Sequence, residues 1–156
     1  MNKKLQAAKY VCSDFFAALI SWLLFFILRK KSIENGSFND INAVFSDMNL
    51  YVGLLVIPLM WLMLYYMQGS YQNVYRKSRL KELGQTLLIS IIGIVIVFFT
   101  LLLDDHVTTY RNYYVSFLML FVLHFTITYI PRLFITTRAA NKIHNNKIGF
   151  PTLLIG

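Results

Sequence analysis

Four apolar runs, each close to the length of a membrane-spanning helix, divide the chain. They cover residues 11–28, 50–67, 87–103 and 113–135, and the second and third contain no charged residue. About 20 apolar residues in a helix cross the hydrocarbon core of a bilayer. The pattern therefore predicts an all-α membrane protein, in which residues 1–142 form a bundle of four transmembrane helices.

The polar segment at residues 69–85, between the second and third runs, indicates how the bundle is oriented. It carries four bases, Arg76, Lys77, Arg79 and Lys81, against a single acid, Glu82. Basic segments that flank membrane spans are retained in the cytosol. We therefore expect both termini to be cytosolic, with residues 29–47 and 104–112 on the outer side.

Local signals predict where two of the helices end, begin or bend. Gly69 is expected to end the second helix. Ser78 is a suitable N-cap with Glu82 in the first turn that follows, so the third helix should begin near Arg79. Pro58 at the centre of the second span is expected to bend it.

Composition supports the membrane assignment and excludes other classes. Apolar residues make up 57% of the chain and the formal net charge is +8. Such a charge in a soluble protein would suggest binding to nucleic acid, but here the basic residues lie at the ends of the apolar runs. We therefore expect contact with anionic lipid headgroups and not with nucleic acid. The single cysteine, Cys12, excludes an intramolecular disulfide, and we expect it to be buried.

Few ionisable residues fall within the spans, and two of them have opposite charges at similar depth. Asp14 lies about one turn inside the start of the first span, and Arg132 lies near the end of the fourth, most polar span, beside Pro131. An isolated charge facing lipid is costly, so we predict that Asp14 pairs with Arg132. The alternative is that Asp14 reaches headgroup water while Arg132 snorkels. His124 shares the helix face of Arg132, and an interhelical hydrogen bond is expected for it.

The last residues change in character. Residues 143–156 follow the fourth span as a linker, with a turn signal at Gly149-Phe150-Pro151 and a short β-rich run at 152–155. A four-residue strand cannot form a sheet alone. We interpret the run as the first strand of a Rossmann-like domain in a longer protein, with a hydrophobic tail as the alternative.

The order of these features resembles one family. The segments Gly69-Ser70-Tyr71, Arg76-Lys77-Ser78 and Glu82-Leu83 and the ending YIPRLFITTRAANKIHNNKIGFPTLLIG are similar to the amino-terminal membrane domain of bacterial polyprenyl-phosphate hexose-1-phosphate transferases. These enzymes initiate exopolysaccharide and capsule synthesis. The membrane-bound nucleotide-sugar 4,6-dehydratases are the nearest alternative, and a small four-span transporter subunit is a third.

The resemblance implies a reaction for the parent protein. A sugar-1-phosphate would pass from a nucleotide diphosphate-sugar to undecaprenyl phosphate, with magnesium, at the bacterial inner membrane. It also implies a homodimer and an Asp-Glu catalytic pair in a carboxy-terminal domain. No residue of this chain matches that pair, so the fragment is expected to serve as an anchor and assembly module. The run Asp104-Asp105-His106 is expected to be a solvated turn, since adjacent residues seldom supply convergent metal ligands.

Overall fold

The computed structural model consists of helices throughout its described part, which comprises residues 3–33, 45–72, 78–102 and 110–144. Helix α1 spans Lys3–Ile33, α2 Met48–Met67, α3 Arg79–Val97 and α4 Tyr110–His144, and a π-helical turn at Phe98–Leu102 extends α3. All four helices are long and apolar enough to cross a membrane. The predicted strand at 152–155 and the run Asp104-Asp105-His106 lie outside the described residues.

The first and last helices extend well beyond the apolar runs that predicted them. Helix α1 has 31 residues and α4 has 35, which correspond to about 46 and 52 Å. A hydrocarbon core is about 30 Å thick. Hydropathy marks only the part of a helix that crosses lipid. The flanking turns of α1 and α4 are rich in Lys, Arg and Ala, which favour helix, and the charged side chains among them can reach water.

The predicted boundaries between α2 and α3 are confirmed. Gly69 follows α2 with a φ of 72°, a left-handed conformation that glycine adopts without strain. At the start of α3, the Ser78 hydroxyl accepts a hydrogen bond from the backbone N–H of Lys81 at 3.2 Å. Helix α2 continues through Pro58 and α4 through Pro131. The bend expected at Pro58 stays a prediction.

The helices pack as an antiparallel bundle in the order α2, α1, α4, α3. Helix α1 contacts both α2 and α4, and α3 packs mainly on α4, whereas α2 and α3 share the smallest of these interfaces. Two large side chains cross between helices at glycines. The ring of Trp22 in α1 lies against Gly53 of α2, and that of Trp61 in α2 lies against Gly93 of α3, so a Cβ at either glycine would clash with an indole.

The core differs between the two ends of the bundle. Around Trp22 it is apolar, with an aromatic cluster that includes Phe25 and Phe26. At the opposite end, buried polar side chains replace the apolar ones, and Arg132 lies among them. We call these the Trp22 end and the Arg132 end. Helices α1 and α3 begin at the Arg132 end, and α4 ends there.

The outer surface of the helices is apolar. Many large hydrophobic side chains on it are strongly exposed, among them Leu55, Met63 and Leu118. Such a surface is stable against lipid chains. Cys12 also lies on this surface, so the expectation that it is buried was wrong. Its position on α1 points away from the neighbouring helices, whereas Asp14, Ala17 and Ala18 face them.

Candidate functional site

Arg132 is the centre of a buried ion-pair network. Its side chain is fully enclosed, with 0% of its surface exposed. Nε donates to Oδ1 of Asp14 at 2.8 Å, and Nη2 donates to Oδ2 at 2.6 Å. The two parallel hydrogen bonds are the strong, bidentate geometry of a guanidinium on a carboxylate. The pairing of Asp14 with Arg132 that the sequence predicted is therefore confirmed.

A second carboxylate comes from α3. Nη1 of Arg132 lies 3.3 Å from Oε1 of Glu82 and 3.3 Å from the hydroxyl oxygen of Thr86. Glu82 is fully buried, whereas the sequence suggested only a helix-start residue. A sequence signal was present, because Glu82, Thr86 and Ser90 recur every four residues and form a polar stripe on one face of an otherwise apolar helix. One guanidinium thus joins α1, α3 and α4.

Two tyrosines at the end of α2 complete the surroundings of the pair. The guanidinium carbon of Arg132 lies 3.8 Å from the centroid of the Tyr65 ring, within cation–π distance. The hydroxyl of Tyr71, in the turn after α2, donates to Oδ2 of Asp14 at 2.9 Å. Burial and the nearby Asp14 charge raise the pKa of Tyr71, so its hydroxyl keeps its proton and remains a donor. Helix α2 is therefore also connected to the network, through Tyr65 and the turn that carries Tyr71.

A hydrogen bond one turn farther out connects α1 and α4 again. The hydroxyl oxygens of Tyr10 and Thr136 lie 2.7 Å apart, and both side chains are buried. Tyr10 precedes Asp14 by four residues, and Thr136 follows Arg132 by four. The antiparallel pair is thus fastened at two successive turns.

His124 lies two turns deeper on α4 and makes the interhelical hydrogen bond expected of it. Its Nε2 is 3.3 Å from the hydroxyl oxygen of Tyr65 and 3.4 Å from that of Thr128. Its ring stacks on Trp61 with centroids 3.6 Å apart and planes 13° apart. The contacts place His124 where the polar part of the core meets the apolar part, between α2 and α4.

The remaining candidates lie outside this network. Arg79 and Lys81 are exposed at the start of α3. Pro58 is buried in α2 and Pro131 is half-buried beside Arg132. Arg76 and Lys77 fall outside the described residues.

The arrangement is suited to holding helices together. Bringing charges out of water costs several kcal/mol per ion, and only close, hydrogen-bonded pairing offsets that cost. Nε, Nη1 and Nη2 of Arg132 all donate to oxygen atoms. Within the described ranges, no three His, Cys, Asp or Glu side chains are grouped to hold a metal ion.

Comparisons with known proteins give no relative. No family model matches the chain, and neither the curated proteins nor the solved structures contain a match.

Proposed function

We propose that this chain is the membrane anchor and assembly module of an initiating sugar transferase. The parent protein would move a sugar-1-phosphate from a nucleotide diphosphate-sugar to undecaprenyl phosphate at the cytosolic face of a bacterial inner membrane. The sequence resemblance supports the reaction, and the four helices long and apolar enough to cross a membrane support the anchoring role.

One structural observation supports the anchoring role. The network that joins α1, α3 and α4 lies at the end of the bundle from which α4 continues from Arg132 to His144. These twelve further residues extend about 18 Å. This part of α4 is still held against α1 at Thr136, and a helix supported in this way can hold a following domain at a fixed distance from the bilayer.

A transporter subunit is the second candidate, and one observation favours it. Ionisable residues buried within membrane spans often mark ion or substrate pathways, and Asp14, Glu82 and Arg132 meet in this bundle. Against a pathway, the core towards the Trp22 end is filled by large apolar side chains. The guanidinium also engages both carboxylates. The anchor therefore agrees better with the packing.

The proposal can be tested by sugar-phosphate transfer. Residues 1–156 and the full product of the reading frame would be purified and incubated with magnesium, undecaprenyl phosphate and labelled nucleotide diphosphate-sugars. We expect transfer to the lipid by the full product and none by residues 1–156, which lack a match to the catalytic pair. Turnover by the fragment would overturn the proposal, as would a full product that dehydrates the nucleotide-sugar instead.

A further inference from the structure

Exposed basic side chains surround the Arg132 end of the bundle. They come from three helices, and we call them the basic collar: Lys4 and Lys9 of α1, Arg79 and Lys81 of α3, and Arg138 of α4. In the described part of the chain, none of them takes part in an ion pair with an acid. Their charges therefore face the surroundings of the protein.

The network provides a scale for the depth of the collar. Asp14 and Glu82 both touch Arg132, so the three residues mark one level. Outward from this level, Lys81 lies one residue, Arg79 three, Lys9 five, Arg138 six and Lys4 ten. At 1.5 Å per residue these offsets are about 2 to 9 Å for the first four and about 15 Å for Lys4. The charge-free run of α3 begins at Leu87, on the opposite side of the level. Each headgroup layer is about 5–8 Å thick, so Lys9, Arg79, Lys81 and Arg138 lie at about headgroup depth and Lys4 lies farther out.

The acids at this end do not offset the collar. Asp14 and Glu82 are the acids that the described residues contribute there, and both are buried against Arg132. The Trp22 end differs, because Nζ of Lys30 pairs with Oδ2 of Asp47 at 3.1 Å. The segments that connect helices at that end add four acids by sequence, Glu34, Asp40, Asp104 and Asp105.

We propose that the basic collar binds the phosphate groups of anionic phospholipids in the leaflet at the Arg132 end. The contacts involve α1, α3 and α4. Helix α2 ends there with exposed Tyr66 and Met67 and contributes no base. The bound lipid would hold the start of α3 and the outgoing turns of α4 at the membrane surface. The inference goes beyond the anchoring role and does not depend on the sugar chemistry.

Native mass spectrometry of the purified chain tests this proposal. The protein would be equilibrated with equal amounts of phosphatidylglycerol and phosphatidylcholine with identical acyl chains. We expect the wild type to retain phosphatidylglycerol preferentially. The collar variant Lys81→Gln/Arg138→Gln should reduce that preference by about fivefold for each base removed, because a base near an anionic surface contributes about 1 kcal/mol.

A matched control keeps the test specific. The variant Lys31→Gln/Arg111→Gln also removes one lysine and one arginine, both exposed and at the Trp22 end, and should keep the wild-type preference. The exchange Lys81→Arg/Arg138→Lys preserves the charge and should also keep it. An equal loss in the collar and control variants, or no loss in the collar variant, would overturn the proposal. In the wild type, a preference that does not fall between 0.1 and 0.5 M ammonium acetate, about the concentrations at which screening becomes strong, would also overturn it.

Discussion

The contact between Trp61 and Gly93 fixes the spacing of the two helices that share the smallest interface. The indole of Trp61 occupies the volume that a side chain at position 93 would need, and it stacks on His124 at the same time. Small residues allow such close approach within membranes. A larger side chain at position 93 would therefore clash with Trp61. A shift of Trp61 to avoid the clash would disrupt its stacking on His124.

We predict that Gly93→Ala destabilises the bundle and that Gly84→Ala does not. Overpacking of a filled core costs about 1–3 kcal/mol, whereas a Cβ at Gly84 meets open space. Thermal unfolding of the two variants in the same detergent measures the difference. Equal melting temperatures for the two variants would contradict the packing described for Trp61.

At this scale the sequence predicted one pair and missed its neighbours. The pairing of Asp14 with Arg132 was predictable because an unpaired charge facing lipid is costly, and two opposite charges at equal depth avoid that cost by pairing. Glu82 was missed as a partner because an acid in the first turn of a helix is stable without one. Tyr71 was missed because its position depends on the turn after α2, and the periodicity of the helices does not determine that turn.

At the scale of the elements, α2 and α3 each begin with a side-chain N-cap. The cap is the carboxylate of Asp47 for α2 and the hydroxyl of Ser78 for α3. The Asp47 carboxylate accepts from the backbone N–H of Asn49 at 3.1 Å and from Nζ of Lys30 at 3.1 Å. Partial burial alone would raise the pKa of Asp47, but these hydrogen bonds outweigh burial and lower it. A carboxyl group with a lowered pKa stabilises the fold above its unfolded pKa, and the stabilisation is lost as the pH falls through the folded pKa.

The decrease in the free energy of unfolding caused by Asp47→Ala should therefore depend on pH. We expect a loss of about 1 kcal/mol at pH 7 and a smaller loss at pH 3, where the wild-type carboxylate begins to take up its proton. Ser78→Ala is the control, because a hydroxyl cap does not titrate in this range and should give the same loss at both values. Thermal unfolding at the two pH values measures both. A constant loss for Asp47→Ala would refute the role given to its charge.

The number of helices was predictable from the sequence, but their full lengths were not. Apolar runs indicated the four spans because lipid contact requires them. The turns of α1 before Tyr10 and of α4 after Thr136 are polar, and a polar sequence alone favours helix only weakly. The hydrogen bond between Tyr10 and Thr136 and the buried Ala139 lie beyond the apolar runs, so tertiary contacts support the helical structure there.

At the scale of the whole molecule, the packing order α2, α1, α4, α3 could not be predicted from the apolar pattern. Four apolar helices can be arranged in several ways, and the choice depends on particular contacts such as Trp22 with Gly53. The basic segments do predict an orientation in the membrane, with the Arg132 end in the cytosol.

Thiol labelling tests that orientation. Single-cysteine variants would be made in a Cys12→Ala background, because Cys12 is exposed. In intact cells, an impermeant reagent should label Asn39→Cys and Thr108→Cys but not Ser78→Cys or Asn141→Cys. After permeabilisation, it should label Ser78→Cys and Asn141→Cys as well. Labelling of Ser78→Cys from outside intact cells would contradict the predicted orientation.

The central claim is that Arg132 holds three helices together by pairing with two buried carboxylates. The single variant Arg132→Gln should strongly lower the free energy of unfolding, since a buried charge left without its partner costs about 3–5 kcal/mol. Asp14→Asn should be milder than Arg132→Gln, because the guanidinium keeps its contact with Glu82.

The most direct measurement compares the unfolding free energy of Arg132→Gln with that of the triple variant Arg132→Gln/Asp14→Asn/Glu82→Gln. The triple variant has no unpaired charge in the network and should be the more stable of the two, by at least about 1–3 kcal/mol. A triple variant that is as unstable as Arg132→Gln, or less stable, would contradict the account.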